Sequence, residues 1–244
     1  SLRTWLNQMR KEGGDFAISF GGYNGVPVSA CVLDQNTGTS AHACSTQADC
    51  QAAEAAAKAK FSNMAKPSTT DFRWKSTTPQ YDDYTNLALV LYKVIRFYGV
   101  SHVDFDIENN WQRASQPRTG AANRLMAAAM AKVQQWLAVD NLPLTVSLTV
   151  AVFPYGLNAE IMATVYEWKH AGIDPDNLHV NVMTMDYGSF TGIENGEDLA
   201  YLNAMGLYFT ALQFQRGLSP AAVAASSAAG KHWFSDNITK PGFM

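Results

Sequence analysis

The chain has 244 residues, long enough for one α/β barrel or two small domains. Hydrophobic residues make up 47% and charged residues 16%, which excludes disorder over most of the length. Its 18 basic and 21 acidic side chains give a net charge of −3 with no basic run, so no nucleic acid partner is expected; no run of 18 apolar residues offers a membrane span.

The first predicted strand covers Asp15–Phe20. Residues 26–80 then break the rhythm and read as an elaborated loop insertion. It holds all three cysteines, an Ala-rich helix over about Ala48–Ala65, and a Ser/Thr/Pro stretch from Pro67 to Pro79. With no Cys/His metal spacing, Cys31, Cys44 and Cys50 read either as one disulfide and one thiol, if the protein is exported, or as three reduced thiols. Cys44–Cys50 is the first choice of pair by proximity. Asp34, Asn36 and Gly38 faintly follow a calcium-loop spacing, without the downstream glutamate that completes one.

From there strands and helices alternate. A helix over Tyr84–Tyr98 carries Leu87, Leu91, Val94, Ile95 and Tyr98 on one stripe and ends at Gly99. A strand follows over Val100–Glu108, then a helix over Ala121–Leu137, a strand over Leu142–Phe153 and a helix over Ala159–Ala171. A strand over Leu178–Asp186, a helix over Leu199–Phe214 and a strand over Asn237–Met244 complete the series. This order predicts repeated βα units on a parallel sheet. The runs 142–153 and 178–186 are apolar enough to be buried on both faces. Trp5, Trp136 and Trp168 fall on helical stripes and are expected in the core. His42, His170, His179 and His232 have no ligand spacing and are expected to be structural, and the sequon Asn237-Ile238-Thr239 falls within a predicted strand.

The strongest chemical signal is Val103-Asp104-Phe105-Asp106-Ile107-Glu108. Alternate residues of a strand share a face, so the three acids point one way and the three apolar residues the other. Three acids at this spacing, with an apolar residue in every gap, arise by chance in about 0.02 of such chains. Crowded carboxyl groups repel and lose hydration, a cost of several kcal/mol unless they are used or paired. The competing reading, an acidic edge strand facing water, calls for polar gap residues that are absent.

These residues resemble the signature of the glycoside hydrolase family 18 chitinases, Asp-Gly-x-Asp-x-Asp-x-Glu. Ile18-Ser19-Phe20-Gly21-Gly22 resembles that family's Ser-x-Gly-Gly, and Met183-Thr184-Met185-Asp186-Tyr187 its Met-x-Tyr-Asp motif, in the same order along the chain. The resemblance implies a TIM (β/α)8 barrel, incomplete in this sequence, with its third to seventh strands visible and the first, second and eighth outside it. It also implies a secreted enzyme cutting β-1,4-linked N-acetylglucosamine polymers with retention, without metal or cofactor. In that scheme Glu108 is the acid–base. Asp106, about 6.5 Å deeper along the strand, orients the substrate's acetamido group, and Asp104 shares a proton with Asp106 while Ser19 hydrogen-bonds the pair. Gly21, Gly22, Met183, Met185, Asp186 and Tyr187 would lie around the sugar. The sequence departs from the signature at Ser101 and His102, where a structural consequence is expected, and at Met185, which stands where the family has a tyrosine; Tyr187 is the alternative source of that hydroxyl. Trp111 either stacks on a sugar face or packs, and Tyr155 and Asn158 either line the cleft or pack. An endo-β-N-acetylglucosaminidase acting on N-glycans would use the same acids, and a chitin-binding lectin would use the cleft without turnover.

Overall fold

The computed structural model describes residues 2–23, 25, 27–36, 44–68, 86–108, 114–185, 196–217 and 219–225. In chain order these form α1 (Leu2–Lys11), β1 (Ile18–Gly21), α2 (Val28–Gln35), α3 (Gln47–Ser62), α4 (Leu87–Tyr98) and β2 (His102–Ile107). They continue with α5 (Pro117–Ala138), β3 (Thr145–Ala151), α6 (Ala159–His170), a 3-10 turn (Pro175–Asn177), β4 (Leu178–Met183) and α7 (Gly196–Gln215). The four strands make one sheet in the order β1-β2-β3-β4, every neighbouring pair parallel. The fold is α/β, as the alternation predicts. The strand expected over Asn237–Met244 lies outside the described residues.

Local chemistry sets the element ends. Asn86 and Asn158 cap α4 and α6, their side-chain oxygens accepting from Leu89 N (3.2 Å) and Ile161 N (2.9 Å). Thr46 does the same for α3. Helix α4 stops at Gly99, which takes the left-handed conformation at φ 65°. Its last carbonyls would otherwise lack partners; Arg10 of α1 donates to Tyr98 O (2.8 Å) and Gly99 O (2.7 Å). That contact ties the end of α4 to α1, the helix that carries the Trp5 stripe. Trp5, expected in the core, is 68% exposed on it, whereas Trp136 and Trp168 are buried.

The segment 26–80, read as an elaborated loop, contains α2 and α3, and both pack on α5. Ala30, Val32, Leu33, Cys50, Ala53, Ala57 and Phe61 belong to the main core. A Cys44–Cys50 disulfide joins the chain ahead of α3 to its first turn, and Cys31 is free and exposed on α2. Asp34, the first residue of the faint calcium-loop spacing, lies on α2 and accepts two hydrogen bonds from Arg118, at 3.0 and 2.5 Å, while Gly38 lies outside the described residues.

The core lies between the sheet and the helices. Val103, Phe105 and Ile107 of β2 and Val146, Leu148 and Val150 of β3 are all buried there. Phe105 stacks on Phe20 (5.4 Å between centroids) and leans on Trp168 of α6 (4.8 Å). A fully buried aromatic of this kind contributes about 3 kcal/mol relative to exposure. The apolar half of the β2 pattern therefore fixes which way the acids face.

Candidate active site

The strand register assembles the site on the sheet's other face. Ser19 lies opposite Asp104, which lies opposite Ser147; Gly21 lies opposite Asp106, which lies opposite Thr149, itself opposite Asn181. Three strands thus bring polar groups to the acids of β2.

Asp104 is surrounded by donors. Its Oδ2 accepts from Ser19 Oγ at 2.8 Å. Its Oδ1 accepts from Ser147 Oγ at 2.5 Å, Thr149 Oγ1 at 2.8 Å and, more weakly, Asn181 Nδ2 at 3.4 Å. The expected Ser19 contact is present. The expected pairing of Asp104 with Asp106 is not the one found: the Asp106 carboxyl is hydrogen-bonded to Glu108 instead.

Asp106 is in the opposite state. Its Oδ1 is buried with no hydrogen-bond partner among the described residues. Burial holds its carboxyl above the usual aspartate range, the negative charge of Asp104 pushes the same way, and the hydrogen bond from Glu108 opposes both. Two carboxyls joined by a hydrogen bond hold one proton between them. Glu108 is half-buried at the C-terminal end of β2.

Gly21 makes this packing possible. A Cβ there would lie 2.1 Å from the Asp106 carbonyl oxygen, and φ is 125°, which side chains rarely adopt. The Gly22 N–H donates to that same oxygen at 3.1 Å. The pair of glycines thus locks the end of β1 onto β2 at the level of Asp106.

The remaining predicted residues divide. Met183 ends β4 opposite Ala151 and is half-buried, while Met185 is 57% exposed just beyond it. Tyr155 is buried, stacked on Phe153 (5.2 Å, 4° between planes) and packed with Leu202 of α7. Burial pushes its hydroxyl up to about 12. Asn158 is spent as the cap of α6. Trp111, Asp186 and Tyr187 lie outside the described residues. Among the described residues no group of three or more His, Cys, Asp or Glu is arranged to hold a metal ion.

Sequence reasoning missed Ser147, Thr149, Asn181 and His102. The signal existed: Thr145, Ser147 and Thr149 alternate with Val146, Leu148 and Val150, a period of two inside a run that reads as doubly buried. No protein-family model matches the chain, and neither does a curated protein or a solved structure.

Proposed function

We propose that this chain is a chitinase-type glycosidase, hydrolysing β-1,4 bonds in N-acetylglucosamine oligomers by a substrate-assisted, retaining route. The observation that carries the reading is the Asp106–Glu108 contact. We read Glu108 as the holder of a proton at the outer end of the strand, beside a second carboxyl with a buried oxygen that has no hydrogen-bond partner among the described residues and above a third surrounded by donors. A general acid needs a proton at working pH, and a partner that shares it supplies one.

In this reading Glu108 gives its proton to the glycosidic oxygen as the bond from that oxygen to the anomeric carbon breaks. The acetamido carbonyl oxygen of the same sugar bonds to the anomeric carbon, forming an oxazolinium ion. Loss of the Glu108 proton frees Asp106 to accept from the acetamido N–H, and its charge offsets the positive ring. Glu108, now a carboxylate, takes a proton from water, which attacks the anomeric carbon and opens the ring with net retention.

The same reading takes β1 to β4 as consecutive strands of an eight-stranded barrel, with the acids at the C-terminal ends where such barrels carry their chemistry. It also takes the protein as secreted, an environment in which a disulfide such as Cys44–Cys50 persists.

The test is hydrolysis of N-acetylglucosamine oligomers, with product stereochemistry followed by proton NMR. Retention is expected, together with no cleavage of a matched oligomer carrying hydroxyl in place of the 2-acetamido group. Inversion, or equal cleavage of both oligomers, would sink the mechanism. Cleavage of a high-mannose glycopeptide in preference to the oligomers would move the substrate to N-glycans, and tight binding without turnover would make the protein a lectin.

A further inference from the structure

The polar face of the sheet continues below Asp104. His102 lies two residues down β2, so its ring is on the same face, and its Nε2 is 2.9 Å from Ser147 Oγ. Ser147 is 1% exposed and its hydroxyl makes two contacts, to His102 Nε2 and to Asp104 Oδ1. A serine hydroxyl has one hydrogen to give. Asp104 accepts in all its other contacts, from Ser19, Thr149 and Asn181, so Ser147 donates to it. The hydroxyl can then only accept from His102, and His102 Nε2 must carry a hydrogen.

We infer that His102 is a positioning residue: its Nε2–H fixes the Ser147 hydroxyl so that the single serine hydrogen points at Asp104. Were Nε2 bare, it would compete for that hydrogen and turn it away from the carboxylate. The chain His102–Ser147–Asp104 thereby holds the deepest acid in one orientation and keeps its negative charge beneath Asp106. The titratable groups on this face among the described residues are Asp104, Asp106 and Glu108 on β2 and His179 on β4, the last exposed and opposite Ser147 in register. Asp15, ahead of β1, reaches Ser101 at the foot of β2 (3.5 Å). Strand β3 contributes only hydroxyls, so nothing else on it can set the direction of the Ser147 hydrogen.

The link between this chain and a reaction rate rests on the proposed hydrolysis, whereas the link itself does not, and two readouts keep them apart. Long-range nitrogen–proton NMR on histidine-labelled protein, assigned with His102→Gln, reads the ring directly. A hydrogen on Nε2 is expected, as the neutral tautomer or the imidazolium, whereas a neutral ring with hydrogen on Nδ1 alone overturns the inference whether or not the chain is active. The second readout is kcat for N-acetylglucosamine oligomers in a double-mutant cycle. His102→Leu and Ser147→Ala should each lower kcat roughly 5- to 10-fold with KM little changed, the worth of one such hydrogen bond. The double variant should be no slower than Ser147→Ala alone. His102→Gln, whose amide N–H replaces Nε2–H, should recover most of the rate. Additive losses, or failure of glutamine to rescue in a folded variant, overturn the inference. A wild type with no hydrolase activity overturns the proposed function only, and the tautomer still decides the chain.

Discussion

Two clusters of carboxylates, one in the helical layer and one on the sheet, are solved in opposite ways. Between α3, α5 and α6, Glu54 and Glu167 share Arg124: Nη2 lies 2.7 Å from Glu54 Oε2 and Nη1 3.2 Å from Glu167 Oε1, while Lys58 brings a second cation to Glu54 at 2.6 Å. Each carboxylate there faces a cation. On the sheet, Asp104 and Asp106 have no cation among the described residues; Asp104 is held by hydroxyls and Asp106 by another acid. The first arrangement neutralises charge and ties three helices together. The second concentrates like charge without a cation, an arrangement that fits the proposed function, in which protons are held and moved.

If that contrast is right, the two clusters separate cleanly in mutagenesis. Glu108→Gln should lower kcat by about 10³ while leaving KM and the melting temperature close to wild type, since it removes a proton and almost no volume. Asp106→Asn should be comparably severe, because an amide offers no charge to the oxazolinium. More than a few per cent of wild-type kcat in a folded Glu108→Gln protein would break the assignment. Arg124→Met should do the reverse. It leaves Glu54 and Glu167 facing each other with Lys58 as the remaining cation beside them among the described residues, costing about 3 kcal/mol in urea unfolding. The kcat per folded molecule should hold. A rate loss tracking the stability loss would erase the distinction between the clusters.

The two regions also differ in how far the sequence exposes them. The acids of β2 were legible because alternation puts charge and hydrocarbon on opposite faces, and the buried Val103, Phe105 and Ile107 bear that out. Ser19 was legible through the resemblance of Ser19-Phe20-Gly21-Gly22 to a Ser-x-Gly-Gly motif, two residues ahead of the glycine pair. Ser147 and Thr149 were not, since isolated hydroxyls within an apolar run look like tolerated substitutions until a register places them beside a carboxylate. In the helical layer α2 was lost because it is eight residues long and starts behind Pro27 without a side-chain cap. Arg124 shows no special pattern either, because its partners come from positions 54 and 167, distances no local periodicity can report. Tyr155 illustrates the limit from the other side: an aromatic after a strand fits a cleft or a core equally well, and only packing on Phe153 and Leu202 shows which contacts it makes.

A smaller effect sharpens the stability side. The Cys44–Cys50 bridge closes a short loop ahead of α3, whose Ala53, Ala57 and Phe61 are buried in the core. Loop-closure entropy for a span of this size gives about 2 kcal/mol. A Cys44→Ser/Cys50→Ser double variant should therefore lose about that much in urea unfolding and keep its kcat. Unreduced mass spectrometry of the wild type should find one bridge and one thiol, at Cys31. Three free thiols in secreted material would remove the bridge from the account.

The smallest expected effect tests the sheet cluster by its cost to the fold. Asp106 is held above the ordinary aspartate value of 3.8, chiefly by burial and then by the charge of Asp104. A carboxyl raised in this way binds its proton more tightly in the folded than in the unfolded chain. Between the unfolded value and the raised one the native state carries more protons, so stability falls as pH rises through that window, and the full cost is present above it. Asp106→Asn cannot ionise and escapes that cost. At neutral pH the variant should melt slightly above wild type, and the difference should shrink as the pH is lowered to about 3.8 and below. Melting curves of both proteins across this range provide the check. A constant offset, or a variant less stable than wild type at pH 7, would show that the buried oxygen of Asp106 is compensated and that the sheet acids are as settled as those on the helices.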